Sequence, residues 1–73
     1  MPEKLENRIR EYREERGWTQ AQLAKAMGVS RKTVNTVENG VFHPSVIVAL
    51  KFAEALCQPV EKLFRLMAKD EES

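Results

Sequence analysis

TQAQLAKAMGVSRKTVNTVENG, residues 19–40, has the pattern of a helix, a tight turn and a second helix. Thr19 suits an N-cap, and Gln22 three residues on completes a Thr-x-x-Gln capping box. Leu23, Ala24 and Met27 recur at helical spacing and give the first helix an apolar face. Gly28 tolerates the positive φ that a sharp turn between packed helices requires. Val29 is the apolar residue of that turn, and Ser30 is a second N-cap. Val34 and Val37 then face inward, which leaves Arg31, Lys32, Asn35 and Thr36 on the outward side.

That outward set points to a nucleic-acid duplex. Arg or Lys donates to guanine, Asn pairs with adenine, and Thr offers a hydroxyl and a methyl group. A helix of this size fits the major groove of B-DNA, with the preceding helix braced across the backbone. The competing reading is an ordinary αα-hairpin whose polar face is merely solvated.

The remaining composition narrows the choices. Seventy-three residues make one small domain, and a hydrophobic content of 42% is that of a globular chain. No run approaches the roughly 18 apolar residues of a membrane span, and the N-terminus lacks a signal-peptide core. The expected location is therefore the cytoplasm, with no membrane partner. A single cysteine, Cys57, excludes an intramolecular disulfide and fits a reducing compartment. One Cys and one His without clustered carboxylates argue against a zinc site, and no cofactor or small-molecule ligand is indicated. Net charge is only +1, but residues 17–40 carry Lys25, Arg31 and Lys32 against Glu38, so the positive excess sits on the two-helix stretch.

Taken in order, residues 1–4 should be frayed. Leu5, Ile9 and Tyr12 predict a helix from about residue 5 to 16, stopped by Gly17. Trp18 should pack beneath the two-helix unit. Arg13 and Glu38 each lie beside an apolar row, either as unrelated surface charges or as a pair joining the first helix to the third. After Asn39 and Gly40 comes a loop, in which Phe42 either covers the core or faces a partner. His43, a lone histidine, suits a phosphate contact better than a metal site or a pH switch. Ser45 caps a fourth helix over residues 45–56, with Val46, Ile47, Leu50, Ala53 and Leu56 as its apolar positions. Pro59 opens a fifth over 60–68, marked by Val60, Leu63, Phe64 and Met67. The expected fold is all-α: a compact bundle of five short helices, with a core over about residues 5–68 and a disordered tail at 69–73.

In this order and spacing the residues are similar to a known family. NRIREYREERGWTQAQLAKAMGVS, TVENG, Pro44-Ser45, LKFAEAL and VEKLF together resemble the lambda-repressor-like, Cro/C1 (XRE) type helix-turn-helix DNA-binding proteins. Ala24, Gly28 and Val34 occupy the family's small, turn and aliphatic positions. The resemblance implies that Gln20 contacts a phosphate and braces the recognition helix. It places base contacts on Arg31, Lys32, Asn35 and Thr36, puts Asn39 on a phosphate, and pairs Arg13 with Glu38. Thr19, Lys25, Ser30 and His43 complete the expected phosphate-contacting set. The sequence departs from the family pattern at Tyr12 and Trp18, at Cys57 where Gly is common, and at Pro59 where Ser or Thr is common.

The expected function is thus sequence-specific binding of double-stranded DNA by a small transcriptional regulator, a repressor acting as a homodimer on a near-palindromic operator. The alternative is a protein-interaction module, such as an antitoxin or a subunit of a regulatory complex, that keeps the fold without the DNA role. An enzyme is not expected: there is no Gly-rich phosphate loop, no nucleophile with a base at recognisable spacing, and too little chain for a deep pocket.

Overall fold

The computed structural model describes residues 4–67. Its elements run β1 (Lys4–Asn7), α1 (Ile9–Glu15), α2 (Gln20–Met27), α3 (Arg31–Glu38), α4 (Val46–Leu56), α5 (Val60–Leu63) and β2 (Phe64–Met67). The fold is mostly helical, and the all-α expectation needs correcting for a small antiparallel sheet.

That sheet joins the two ends of the described chain. Leu5 pairs with Leu66 and Asn7 with Phe64. The Arg8 N–H continues the link by donating to the Leu63 carbonyl at 2.9 Å. The first helix therefore starts at Ile9, not Leu5, and the fifth is a single turn that gives way to a strand at Phe64. The local pattern misleads because four-residue strands carry little periodicity, and their partner lies at the other end of the sequence. Leu5 stays half-buried in β1, so its apolar character also suited a helix face. The expected fraying of residues 1–4 does not hold at Lys4, which pairs with Met67 in β1; residues 1–3 and the expected disordered tail at 69–73 lie outside the described residues.

The helix-turn-helix unit forms as its caps dictate. Thr19 Oγ1 accepts from the Gln22 N–H at 3.1 Å, and Gln22 Oε1 accepts from the Thr19 N–H at 2.8 Å. Ser30 Oγ accepts from the Thr33 N–H at 3.2 Å, and Ser45 Oγ from the Val48 N–H at 3.1 Å. Gly28 has φ +75°, and beyond it the Val29 N–H closes back onto the Ala24 carbonyl at 3.0 Å. This closure is the Schellman arrangement, in which one left-handed residue turns the chain off the helix end.

The core draws on every helix. Ile9, Leu23, Ala24, Met27, Val34, Val37, Phe52, Leu56 and Leu63 are buried, with Trp18, Val29 and Phe64 packed against them. Phe52 meets Phe64 edge-on, ring centroids 6.0 Å apart. The fourth helix turns a different face inward from the one expected. Phe52 and Leu56 are buried, whereas Val46, Ile47 and Leu50 are exposed at 75%, 67% and 55%. VIVALKFAEAL is apolar nearly all round, so spacing alone does not select a face. Phe42 does not cover the core either, for it is 63% exposed.

Cys57 ends α4 with φ +55° and ψ +44°, and the Gln58 N–H closes onto the Ala53 carbonyl at 3.1 Å. It is the one non-glycine residue with positive φ among those described. A β-carbon in this region costs about 1–2 kcal/mol, partly offset because glycine makes the unfolded chain more flexible. Cys57→Gly should therefore stabilise the domain by about 0.5–1 kcal/mol. Urea denaturation checks this, and an unchanged or lowered midpoint would show that the turn is not strained.

Candidate nucleic-acid interface

The site is built on a buried carboxylate. The Glu38 side chain, at the last residue of α3, has no exposed surface. Burying a charge is costly unless it is paired and hydrogen-bonded. Arg13 on α1 supplies the pairing: its Nε donates to Glu38 Oε2 at 2.6 Å and its Nη2 to Oε1 at 3.2 Å. Arg13 Nη1 also donates to the Trp18 carbonyl at 2.8 Å. The guanidinium thus spans the first helix, the turn after it and the end of the third. Its hydrogen bond to Glu38 is the main cause raising the Arg13 pKa above the ordinary arginine value, against a smaller opposing effect of burial. Arg13 and Glu38 are the pair that the sequence suggested.

Gln20 is the third partner. Its Nε2 donates to Glu38 Oε1 at 3.1 Å, and its Oε1 accepts from Asn35 Nδ2 at 3.3 Å. Gln20 therefore links the start of α2 to both the end and the middle of α3. Arg10 is a contributor that sequence reasoning missed. Its Nε lies 3.7 Å from Glu38 Oε1, and its Nη2 donates to Asn39 Oδ1 at 3.3 Å. The available signal was its position three residues before Arg13, on the same side of the first helix. Asn7 was also missed. Its Nδ2 donates to the Val37 carbonyl at 2.9 Å, and its Oδ1 accepts the Ile9 N–H at 3.1 Å. One short side chain thereby caps the first helix and holds the end of the third.

The outward face of α3 carries the expected residues unequally. Arg31, Lys32 and Asn35 are exposed. Neither Arg31 nor Lys32 makes an ion pair among the described residues. Their charges add to the positive end of the helix dipole. Thr36 is half-buried, and its hydroxyl donates to the Thr33 carbonyl at 3.2 Å, which leaves its oxygen as an acceptor and its methyl for contact. Thr19 and Ser30 accept backbone N–H groups in their caps, so each presents its hydroxyl from a helix start. Lys25 is exposed in the last turn of α2, and Asn39 is exposed beside Arg10. His43 is exposed in the loop before α4 and has no hydrogen bond to the polar groups just described. Hydrogen bonds thus connect Arg13, Gln20, Asn35 and Glu38, and Arg10 with its partner Asn39 joins them through the 3.7 Å ion pair to Glu38, while Arg31 and Lys32 extend the face along α3 and His43 stands apart. No helix among the described residues is long and apolar enough to cross a membrane.

Known proteins resemble this chain in sequence and fold. The helix-turn-helix family model matches residues 9–63. An uncharacterized HTH-type transcriptional regulator of Archaeoglobus fulgidus is 42% identical over 60 residues, covering 82% of this chain and 86% of its own. Another, from Methanothermobacter thermautotrophicus, is 44% identical over 59 residues, covering 80% and 86%. Among solved structures, the restriction-modification controller protein C.AhdI from Aeromonas hydrophila superposes with a TM-score of 0.71 at 35% identity, covering 74% of this chain and 82% of its own.

The two kinds of ion pair in this chain should behave differently on mutation. Glu38→Ala strands Arg13 in a partly buried site and should cost about 3–5 kcal/mol. Glu6→Ala removes the exposed partner of Arg65, a contact of 2.6 Å with 71% and 42% of the side chains accessible, and should cost less than about 1 kcal/mol. Equal losses in thermal or urea denaturation would remove Glu38 from its central place.

Proposed function

We propose that this chain, which belongs to the helix-turn-helix family of Cro/C1 type, is a small transcriptional regulator that binds a specific double-stranded DNA sequence through α3. Arg31, Lys32, Asn35 and Thr36 meet base edges in the major groove. Thr19, Gln20, Lys25, Ser30, Asn39 and His43 contact phosphates and set the register of the protein on the duplex. Arg10 joins that second group, because it lies against Asn39. One observation carries the reading. Arg31, Lys32 and Asn35 are exposed on one face of a helix whose opposite face, Val34 and Val37, is buried and whose end is clamped by Glu38. A helix held so firmly, with unpaired cations outward, suits recognition of an ordered anionic surface better than a freely solvated hairpin does.

We further propose that the regulator acts as a homodimer and represses by occupying a near-palindromic operator. A single α3 spans only a few base pairs, and two copies with recognition helices about 34 Å apart would read successive major grooves. The contact between copies falls on Val46, Ile47 and Leu50 of α4 with Val41 and Phe42 of the preceding loop. All five are more than half exposed, and they are close in sequence. Such a group is larger than the scattered apolar residues of an ordinary surface. The fifth helix is less suited to this role, being one turn whose Leu63 is already buried.

Selection of random duplexes with the full chain should return a motif of two inverted half-sites about 10 base pairs apart, with affinity falling steeply as salt rises. Arg31→Ala should weaken binding to that motif by about 1–3 kcal/mol and relax preference at one base pair. Unchanged affinity and preference would show that α3 is not the reading helix. Separately, Ile47→Asp should convert a sedimenting dimer into a folded monomer. A wild-type chain that remains monomeric both free and on the selected duplex would refute the assigned contact between copies.

A further inference from the structure

Tyr12 and Trp18, two of the departures from the family pattern, each lie under an arginine. Arg8 Cζ is 5.8 Å from the centre of the Tyr12 ring, and Arg16 Cζ is 5.1 Å from that of Trp18. The two arginines differ in charge balance. Arg8 is neutralised by Glu11: its Nε donates to Oε1 at 3.0 Å, and its Nη2 lies 2.9 Å from the same oxygen. Arg16 is exposed at the C-cap of α1 and makes no ion pair among the described residues. Its charge is therefore held in place by an aromatic ring and left open to a further partner.

Trp18 is a fixed platform. Its N–H donates to the Arg13 carbonyl at 3.1 Å, and its own carbonyl accepts from Arg13 Nη1 at 2.8 Å. Arg13 is in turn held by the buried Glu38. The half-buried indole packs against the core, and the next residue, Thr19, caps α2. A guanidinium stacked on an aromatic face keeps its N–H edge free, and that fork matches two oxygens of a phosphate. Stacking also orders a long side chain before it binds, which lowers the entropy lost on contact. Resting on the reading of this chain as a DNA binder through α2 and α3, we propose that Arg16 is a further phosphate-contacting residue beside Thr19, and that Trp18 is the positioning residue that holds its guanidinium ready. The contact extends the footprint from the helix-turn-helix to the end of α1. It carries no base preference, so it strengthens specific and non-specific binding alike.

Arg16→Gln removes the charge, and Trp18→Leu removes the ring while leaving an apolar side chain on the core. Far-ultraviolet circular dichroism verifies the fold of each. Equilibrium binding is measured for wild type, both variants and the double variant, on the duplex recovered by selection and on a random-sequence duplex, from about 50 to about 200 mM salt. Arg16→Gln should weaken binding to both duplexes by the same factor, about three- to tenfold per copy bound in the lowest salt. It should also lower the slope of log affinity against log salt by about 0.9 per copy bound. Trp18→Leu should weaken both duplexes by about two- to fivefold per copy, and Trp18→Tyr, which keeps a π face, should recover most of that loss. In the Arg16→Gln background Trp18→Leu should change affinity by less than about 1.5-fold, because the ring has no charge left to position. Wild-type affinity and salt slope in Arg16→Gln would overturn the proposal, and since Arg16 is exposed this variant decides the contact even if Trp18→Leu does not fold. A Trp18→Leu loss that is equally large without Arg16 would overturn the positioning role and leave Trp18 as a core residue alone. Absence of DNA binding by folded wild-type protein is a different failure, because it removes the reading on which the contact rests.

Discussion

The buried Glu38 carboxylate constrains this domain more than any other single group. Hydrophobic burial holds the helices together but is non-directional, so a small set of aliphatic side chains leaves relative rotation loosely specified. The hub adds direction. Arg13 from α1, Gln20 from α2 and Glu38 from α3 converge within hydrogen-bonding distance, and the fork of the guanidinium matches the carboxylate in two places. Sliding or rolling one helix would break several bonds to a charge that has no water to replace them. The stability gained from such a pair is small, because desolvation offsets most of the attraction. Its value lies in geometry: α3 is held at its end while its exposed face stays free.

The second constraint is closure of the chain. A domain of this size buries a modest share of its surface, so loose ends are a hazard. β1 and β2 bring the two ends of the described residues together, and Asn7 at the end of β1 reaches across to the Val37 carbonyl. The strand that joins the two ends of the described chain therefore also supports the end of α3, one residue from Glu38. Closure and positioning share the same few residues. By contrast, the Glu6–Arg65 pair on the outside of the sheet lies in high dielectric and adds little.

The parts legible in the sequence were those written in local chemistry. The capping box at Thr19 and Gln22, the cap at Ser30 and the turn glycine each act within a few residues, and each appears where the sequence placed it. The left-handed Cys57 was also foreshadowed, since a glycine is common at that point of the family pattern. Long-range features were harder to see. The strand pairing joins segments almost the whole chain apart, and neither segment alternates clearly. Phe52 was missed because α4 has apolar residues on all sides, so the sequence lists candidates for the core without ranking them. Arg10 was hidden among balanced charges, and only the folded position of Asn39 and Glu38 distinguishes it from its neighbours. The pairing of Arg13 with Glu38 was the one of two readings that the resemblance favoured, and the burial of Glu38 was not foreseen, because nothing local requires an acidic residue at a helix end to leave water.

The two outward faces bear on each other through charge. A net charge of +1 gives this chain little long-range attraction for a polyanion, and the positive excess is confined to a few side chains around α3. Each phosphate neutralised adds one released counterion, so a single copy with few cations gains little non-specific affinity. Under the proposed reading, affinity must come from elsewhere, and joining two copies supplies it: once one half-site is engaged, the second binding event is intramolecular. The exposed Val46, Ile47 and Leu50 then have a physical role that a monomer does not give them. On the same reading, a weakly charged α3 is also an advantage for discrimination. The relevant quantity on genomic DNA is the ratio of specific to non-specific binding, and reducing general attraction raises the share of the energy that depends on base contacts. On the proposed reading, a clamped, sparsely charged α3 and an apolar α4 are two halves of one arrangement, in which specificity resides in the orientation of a few side chains and affinity in their duplication.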